Sequence, residues 1–196
     1  MAITIYPTVA CNYSCEYCGN LVDGKKASAK IKTMQQWKDH LEQLDRVLKL
    51  GGSRIKEICF NGGEPTLVSW FNKFCNWILI DKKWILTIYT NLSDVESLSK
   101  LPESYRLIIR ATYHHSYANP LEFAVNWMSL NMKYRIHVSE LGVERKLEKY
   151  VNVPKKTMLH RIYETEQEIN RADTLRIDPK FAIYLTCWEV MKANMK

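Results

Sequence analysis

Apolar and polar positions along this chain follow two periods that take turns. Ile3–Thr8 carries apolar side chains at alternate positions, as a strand with one covered face does. From Thr33 to Leu50 the apolar residues Met34, Trp37, Leu41, Leu44, Val47 and Leu48 recur at helical spacing, and Gly51-Gly52 ends the run. Ile55–Phe60 predicts a second strand, closed by Asn61-Gly62-Gly63, and Val68–Ile80 predicts a helix. Trp84–Thr90 is a β-rich strand, and Ser93 after it is a good N-cap for a short helix. Arg106–Tyr113 reads as a strand and Pro120–Met132 as a helix with proline in its first turn. Tyr134–Val138 is a strand, Glu144–Tyr150 a short charged helix, and Thr157–Ile162 a sixth strand.

Strands alternating with helices predict an α/β fold with a mostly parallel sheet, and the spacing of the strands leaves room for crossovers. Six units are too few for the closed eight-stranded barrel of ~250 residues, which leaves a partial barrel or an open sheet. After Glu164 the alternation fades. Glu164–Ala172 reads as a polar helix and Leu175–Leu185 as a short hairpin turning at Asp178-Pro179. The expected organisation is a core over 1–162 and a short appendage over 163–196 that is not an independent domain.

Composition adds exclusions. With 196 residues, 46% hydrophobic and 25% charged, the chain is neither disordered nor collagen-like, and it is long enough to bury one sizeable core. No apolar run reaches the ~18 residues of a membrane span. The N-terminus lacks the basic region of a signal peptide, so a cytoplasmic address without a membrane partner is expected. The net charge of +7 is partly local: Lys25, Lys26, Lys30, Lys32 and Lys38 crowd one segment, and Arg145, Lys146, Lys149, Lys155, Lys156 and Arg161 another. These segments read as solvated faces or as a surface for an anionic partner such as a nucleic acid, although no nucleic-acid-binding motif accompanies them.

Cysteine usage is more informative. Of six cysteines, Cys11, Cys15 and Cys18 fall within eight residues, while Cys59, Cys75 and Cys187 are scattered. A tight trio in a cytosolic chain points to metal rather than to disulfides. Three thiolates without a near fourth ligand suit a cubane cluster with one open iron, whereas structural zinc asks for four ligands. Ligand softness alone leaves iron–sulfur, zinc and Cu(I) open. Cys59 and Cys75 sit among apolar residues and read as core thiols; Cys187 reads as structural. The second signal is Asn61-Gly62-Gly63-Glu64-Pro65, where paired glycines allow close backbone approach and a carboxylate can accept hydrogen bonds from an ammonium group. On a parallel sheet both segments lie at the carboxyl ends of strands, on one rim.

In Cys11–Cys18, with its C-x3-C-x-aromatic-C spacing, and in Gly62–Pro65, the sequence resembles the radical S-adenosylmethionine (radical SAM) enzymes. The resemblance in element order covers roughly residues 1–162. It implies a (β/α)6 partial TIM barrel with a [4Fe–4S] cluster ligated by Cys11, Cys15 and Cys18. It further implies S-adenosyl-L-methionine bound at the open iron and cleaved on reduction to a 5′-deoxyadenosyl radical that abstracts hydrogen from a substrate. On the same basis Tyr17 packs near the adenine, and Gly62, Gly63, Glu64 and Pro65 bind the amino group of SAM. Thr90-Asn91 matches a Thr-Asn-Gly frequent in the family, with Leu92 in place of the glycine. By position at strand ends, Asn91, Thr112, His114 and Ser139 are further cofactor-binding candidates. His114 or His115 is an acid–base candidate against an ordinary hydrogen-bonded role, and the tryptophans read as packing. The implied partners are a reductant such as flavodoxin or ferredoxin and a peptide or small-molecule substrate. The competing reading is a non-catalytic metal- or nucleic-acid-binding module on the same fold.

Overall fold

The computed structural model describes residues 1–15, 18, 21–22, 25–26, 32–142 and 158–162; of residues 21–22, 25–26, 140–142 and 158–162 it describes the backbone alone. Tyr17, the helix expected over Glu144–Tyr150, the appendage over 163–196 and Cys187 lie outside the described residues.

The elements follow in the order β1 (Ala2–Thr8), β2 (Leu21–Val22), β3 (Lys25–Lys26), α1 (Met34–Leu50), β4 (Glu57–Gly62), α2 (Phe71–Asn76), β5 (Ile85–Thr90), α3 (Val95–Ser99), β6 (Leu107–His114), α4 (Pro120–Asn131), β7 (Arg135–Gly142) and β8 (Met158–Ile162). Strands β1, β4, β5, β6, β7 and β8 form one six-stranded sheet in that spatial order. Every pair in it is parallel, and β1 and β8 are not joined, so the barrel stays open. The β2–β3 ribbon is antiparallel and separate; two residues per strand are too few for periodicity to reveal.

One face of the sheet is covered by helices. Ile58, Phe60, Leu86, Ile88, Leu107, Ile109, Ala111, Tyr113, Ile136 and Val138 alternate along their strands and join Leu41, Phe71, Phe74, Phe123, Trp127 and Leu130 of the helices in a single core. Phe74 sits at its centre, stacked on Phe60 at 5.6 Å and on Trp77 at 5.4 Å. The alternate positions Cys59, Thr87, Tyr89, Arg110, Thr112, His114, His137 and Ser139 face the other way, into the concave side.

Local chemistry sets the element ends. Thr33 caps α1 through a reciprocal capping box with Gln36. Asp45, buried on α1, accepts a hydrogen bond from Ile55 N at 2.9 Å and pairs with Lys49, tying the helix to the segment entering β4. Burial works against ionisation of Asp45, but the Lys49 and Ile55 hydrogen bonds outweigh it and hold the carboxyl below its usual value. The helix expected over Val68–Ile80 is split. Trp77, Ile78 and Leu79 are all buried, and the chain widens there into a π-turn in which Lys82 N reaches Trp77 O at 3.0 Å. The N-cap after β5 is Asp94, which accepts from Ser97 N at 3.0 Å, rather than Ser93, which is engaged elsewhere. Cys75 is a core thiol, whereas Cys59 lies on the concave face and donates to Glu57 Oε1 at 3.5 Å. No helix among the described residues is long and apolar enough to cross a membrane.

Candidate functional site

The site is built on the carboxyl ends of β1, β4, β5 and β6. Thr8 ends β1 opposite Gly62 at the end of β4. Beyond them the two chains stay in contact: Gly63 N donates to Thr8 O and Glu64 N to Ala10 O, each at 2.9 Å. The glycines make this approach possible. Gly62 has φ +114°, and a Cβ on it would lie 2.5 Å from Thr8 O. A Cβ on Gly63 would lie 1.9 Å from Ala10 O. The glycine pair thus seats the start of the cysteine loop on the end of β4.

Glu64 follows at 1% exposure. Its Oε1 accepts from Thr66 N (3.3 Å), Thr66 Oγ1 (2.9 Å) and Thr90 Oγ1 (2.9 Å), and its Oε2 accepts from Asn91 N (2.8 Å). Pro65 is buried and starts the short 3₁₀ turn Pro65–Leu67. Burial raises the Glu64 carboxyl above its ordinary value, and the donors offset this only in part. The folded chain therefore holds this proton at pH values where the unfolded chain has released it. The Glu64 contribution to stability is full at acid pH and is lost as pH rises through the raised value. Glu64→Gln keeps one acceptor oxygen but turns an amide toward Asn91 N. Denaturant titration should register a loss of about 1–3 kcal/mol at neutral pH, the cost of an unsatisfied buried donor, and the variant should lack that pH slope. Unchanged stability with an unchanged profile would show that these hydrogen bonds do not hold the rim.

Asn91 carries the connection to the cysteine loop. Its Nδ2 donates to Asn12 Oδ1 at 2.7 Å and approaches Cys11 Sγ at 3.9 Å, while its Oδ1 accepts from Ser93 N at 3.0 Å. Asn12 Nδ2 donates in turn to Ser93 Oγ at 2.9 Å. A continuous hydrogen-bonded chain runs from the buried Glu64 through Asn91 to Asn12, the residue after Cys11. Leu92, which follows Asn91, has φ +63°. Its side chain is 1% exposed, and burial of that side chain offsets the left-handed backbone.

The far side of the loop rests on β6. Tyr117 Oη donates to Ser14 O at 2.8 Å, and the Tyr117 ring stacks on Tyr13 at 5.9 Å. Cys15 is buried among Tyr13, Cys18 and Tyr117, with its Sγ 3.8 Å from His114 Nδ1. Desolvation, aided by the neighbouring His115, lowers the His114 pKa to about 4, so its imidazole is neutral near pH 7. Tyr13 N points at Cys11 Sγ at 3.4 Å, and Cys18 N donates to Cys15 O at 3.0 Å. The thiols of Cys11, Cys15 and Cys18 are free of disulfides. Among the described residues no three His, Cys, Asp or Glu side chains converge as the ligands of one metal ion would. A cluster in which each iron takes one thiolate does not ask the sulfurs to share one ion, and backbone and amide N–H groups directed at sulfur suit thiolate ligands.

The sequence-derived candidates therefore divide by place. Cys11, Cys15, Cys18, Gly62, Gly63, Glu64, Pro65, Asn91 and His114 gather on the rim. Thr112 and Ser139 are register partners on the concave face, below the rim. Asn12, Ser93 and Tyr117, which brace the loop, escaped the sequence reading because nothing local marks them.

No protein-family model matches the sequence, and no curated protein matches it. Among solved structures, the chain is similar to SuiB of Streptococcus suis bound to S-adenosylmethionine, with TM-score 0.53 and 16% identity over 75% of this chain and 34% of SuiB. The same enzyme bound to its precursor peptide SuiA aligns at TM-score 0.43 and 18% identity, over 88% of this chain and 45% of that one. This chain spans about a third of the length of SuiB in the first of these alignments. At this similarity the chain shares its fold, an open and all-parallel partial barrel, with SuiB bound to S-adenosylmethionine.

Proposed function

We propose that this chain is a radical SAM enzyme acting on a peptide or small-molecule substrate. The observation that carries the reading is the seam at Gly63, which sets the three-cysteine loop directly beside the buried Glu64 on one rim of an open parallel barrel. A [4Fe–4S] cluster held by Cys11, Cys15 and Cys18 would supply the electron that cleaves S-adenosyl-L-methionine to methionine and a 5′-deoxyadenosyl radical.

The chain's own residues have separable tasks. Tyr13 N and Asn91 Nδ2 offer hydrogen-bond donors to Cys11 Sγ. Asn12, Asn91 and Ser93 hold the loop against β5, and Tyr117 holds it against β6. The Gly62–Pro65 segment, in this reading, receives the amino group of SAM; Oε2 of Glu64 accepts one hydrogen bond within the protein and has capacity for another. Tyr17 is assigned to the adenine, and Thr112, His114 and Ser139 line the way down from the rim toward the substrate. A reductant such as flavodoxin or ferredoxin completes the proposal, as do the division into a 1–162 core with a 163–196 appendage and a cytoplasmic address.

The test uses anaerobically reconstituted full chain, reduced with dithionite and mixed with SAM. The expected result is a [4Fe–4S]⁺ EPR signal that changes with SAM, together with 5′-deoxyadenosine. Stoichiometric zinc without iron would overturn the reading. A loaded cluster indifferent to SAM would favour the non-catalytic module instead.

A further inference from the structure

Arg110 sits on the concave face of β6 in the middle of the sheet, between register partners Tyr89 on β5 and His137 on β7. Its guanidinium lies 5.8 Å from the centre of the Tyr89 ring. Its Nε is buried and has no hydrogen-bond partner among the described residues. Nor does any carboxylate there lie within ion-pair distance. Glu57 is the acidic side chain among the described residues of that face. It lies two rows below, opposite Ile85, and its carboxylate already accepts from Thr87 Oγ1 at 2.6 Å and from Cys59. His137 does not supply a counter-charge. Desolvation, with Arg110 and Arg135, lowers its pKa and favours its neutral form.

A guanidinium held half-buried without an anion among the described residues is costly, because part of its hydration is lost. Planar and always charged, it is suited to grip a carboxylate through two parallel hydrogen bonds. Its depth fits a group that enters the barrel. Arg110 lies two residues below Thr112, about 7 Å further in along the strand. We propose that Arg110 is the receptor for a carboxylate of the substrate, with Tyr89 and His137 flanking the bound group in the same row. The inference rests on the proposed function for the word substrate; that the site takes an anion does not depend on it. A peptide carrying an acidic side chain and a small organic acid both present this chemistry.

The experiment is thermal melting of the full chain, with and without reconstituted iron, using glutarate as probe and glutaramide as its neutral counterpart. Arg110→Met, which keeps the length of the stem and removes the charge, should melt about 2–4 °C higher than the unaltered chain without ligand. Glutarate should raise the melting temperature of the unaltered chain, glutaramide should not, and neither should move Arg110→Met. A lower melting temperature for Arg110→Met would reveal a structural ion pair and overturn the proposal. Absence of a glutarate response in the unaltered chain, or its persistence in the variant, would do the same. SAM has a carboxylate too, so its affinity is measured on the iron-loaded chain. That affinity should be equal for both proteins, and a tenfold loss in Arg110→Met would assign the guanidinium to SAM and overturn the substrate assignment. Because the melts without iron need no cluster, failure to bind iron would sink the proposed function and leave the glutarate result standing.

Discussion

Gly63→Ala is expected to leave little folded protein. The added methyl would lie 1.9 Å from Ala10 O, 2.5 Å from Ala10 C and 2.7 Å from Val9 C. These are backbone atoms, so no rotamer change relieves the clash. Relief requires parting β1 from the turn after β4, which breaks the hydrogen bonds from Gly63 N to Thr8 O and from Glu64 N to Ala10 O. It also shifts Glu64, whose carboxylate accepts four hydrogen bonds in the buried rim. The expected loss is about 4–5 kcal/mol, a large part of the ~5–15 kcal/mol of a whole domain. Urea denaturation and soluble yield are the measurements. Gly52→Ala is the comparison: that glycine also has positive φ (+73°), but its Cβ would meet nothing within 4 Å, so only modest backbone strain should appear. Equal, small losses in both variants would mean that the β1–β4 seam is not closed in solution.

Cys15→Ala should have the opposite profile, with chemistry abolished and fold retained. The side chain is small, and removing its sulfur opens a modest void among Tyr13, Cys18 and Tyr117. The loop keeps its anchors at Asn91, Ser93 and Tyr117. With one of the three proposed thiolate ligands gone, reconstitution should yield protein with little iron, no brown colour and no 5′-deoxyadenosine. Cys75→Ala supplies the contrast. Cys75 is fully buried in the core, where burial pushes its thiol well above the ordinary value. Its loss should lower stability and leave iron content unchanged. Retention of the cluster and of SAM cleavage in Cys15→Ala would show that the ligand set is wrong.

The chemistry-bearing segments were legible because their meaning is local. Three cysteines in eight residues and a Gly-Gly-Glu-Pro run declare themselves by spacing, and alternation of the two periods gives the order of strands and helices. What escaped depends on distant partners. Nothing near Gly63 says that Ala10 will press against it. Nothing near Glu64 says that its carboxylate will be enclosed by Thr90 and Asn91, 26 and 27 residues away. Arg110 alternates with Ile109 and Ala111 as an outward-facing charge on any half-exposed strand would. Only the curvature of the sheet makes that outward face an interior. Ser93 was misassigned for a related reason: Asp94 takes the cap because Ser93 Oγ is held by Asn12 from across the rim.

The bracing of the cysteine loop also bears on how the protein is made. Ser14 is anchored by a tyrosine 103 residues further along the chain, and Asn12 by a serine 81 residues further along. A ribosome adding ~5–20 residues per second needs roughly 5–20 s to bring those anchors out after the thiols have emerged. During that interval Cys11, Cys15 and Cys18 have no rim to rest on and are open to oxidants and to stray metals. For the proposed cluster, the iron is therefore best delivered after synthesis, onto a loop that β5 and β6 have already received.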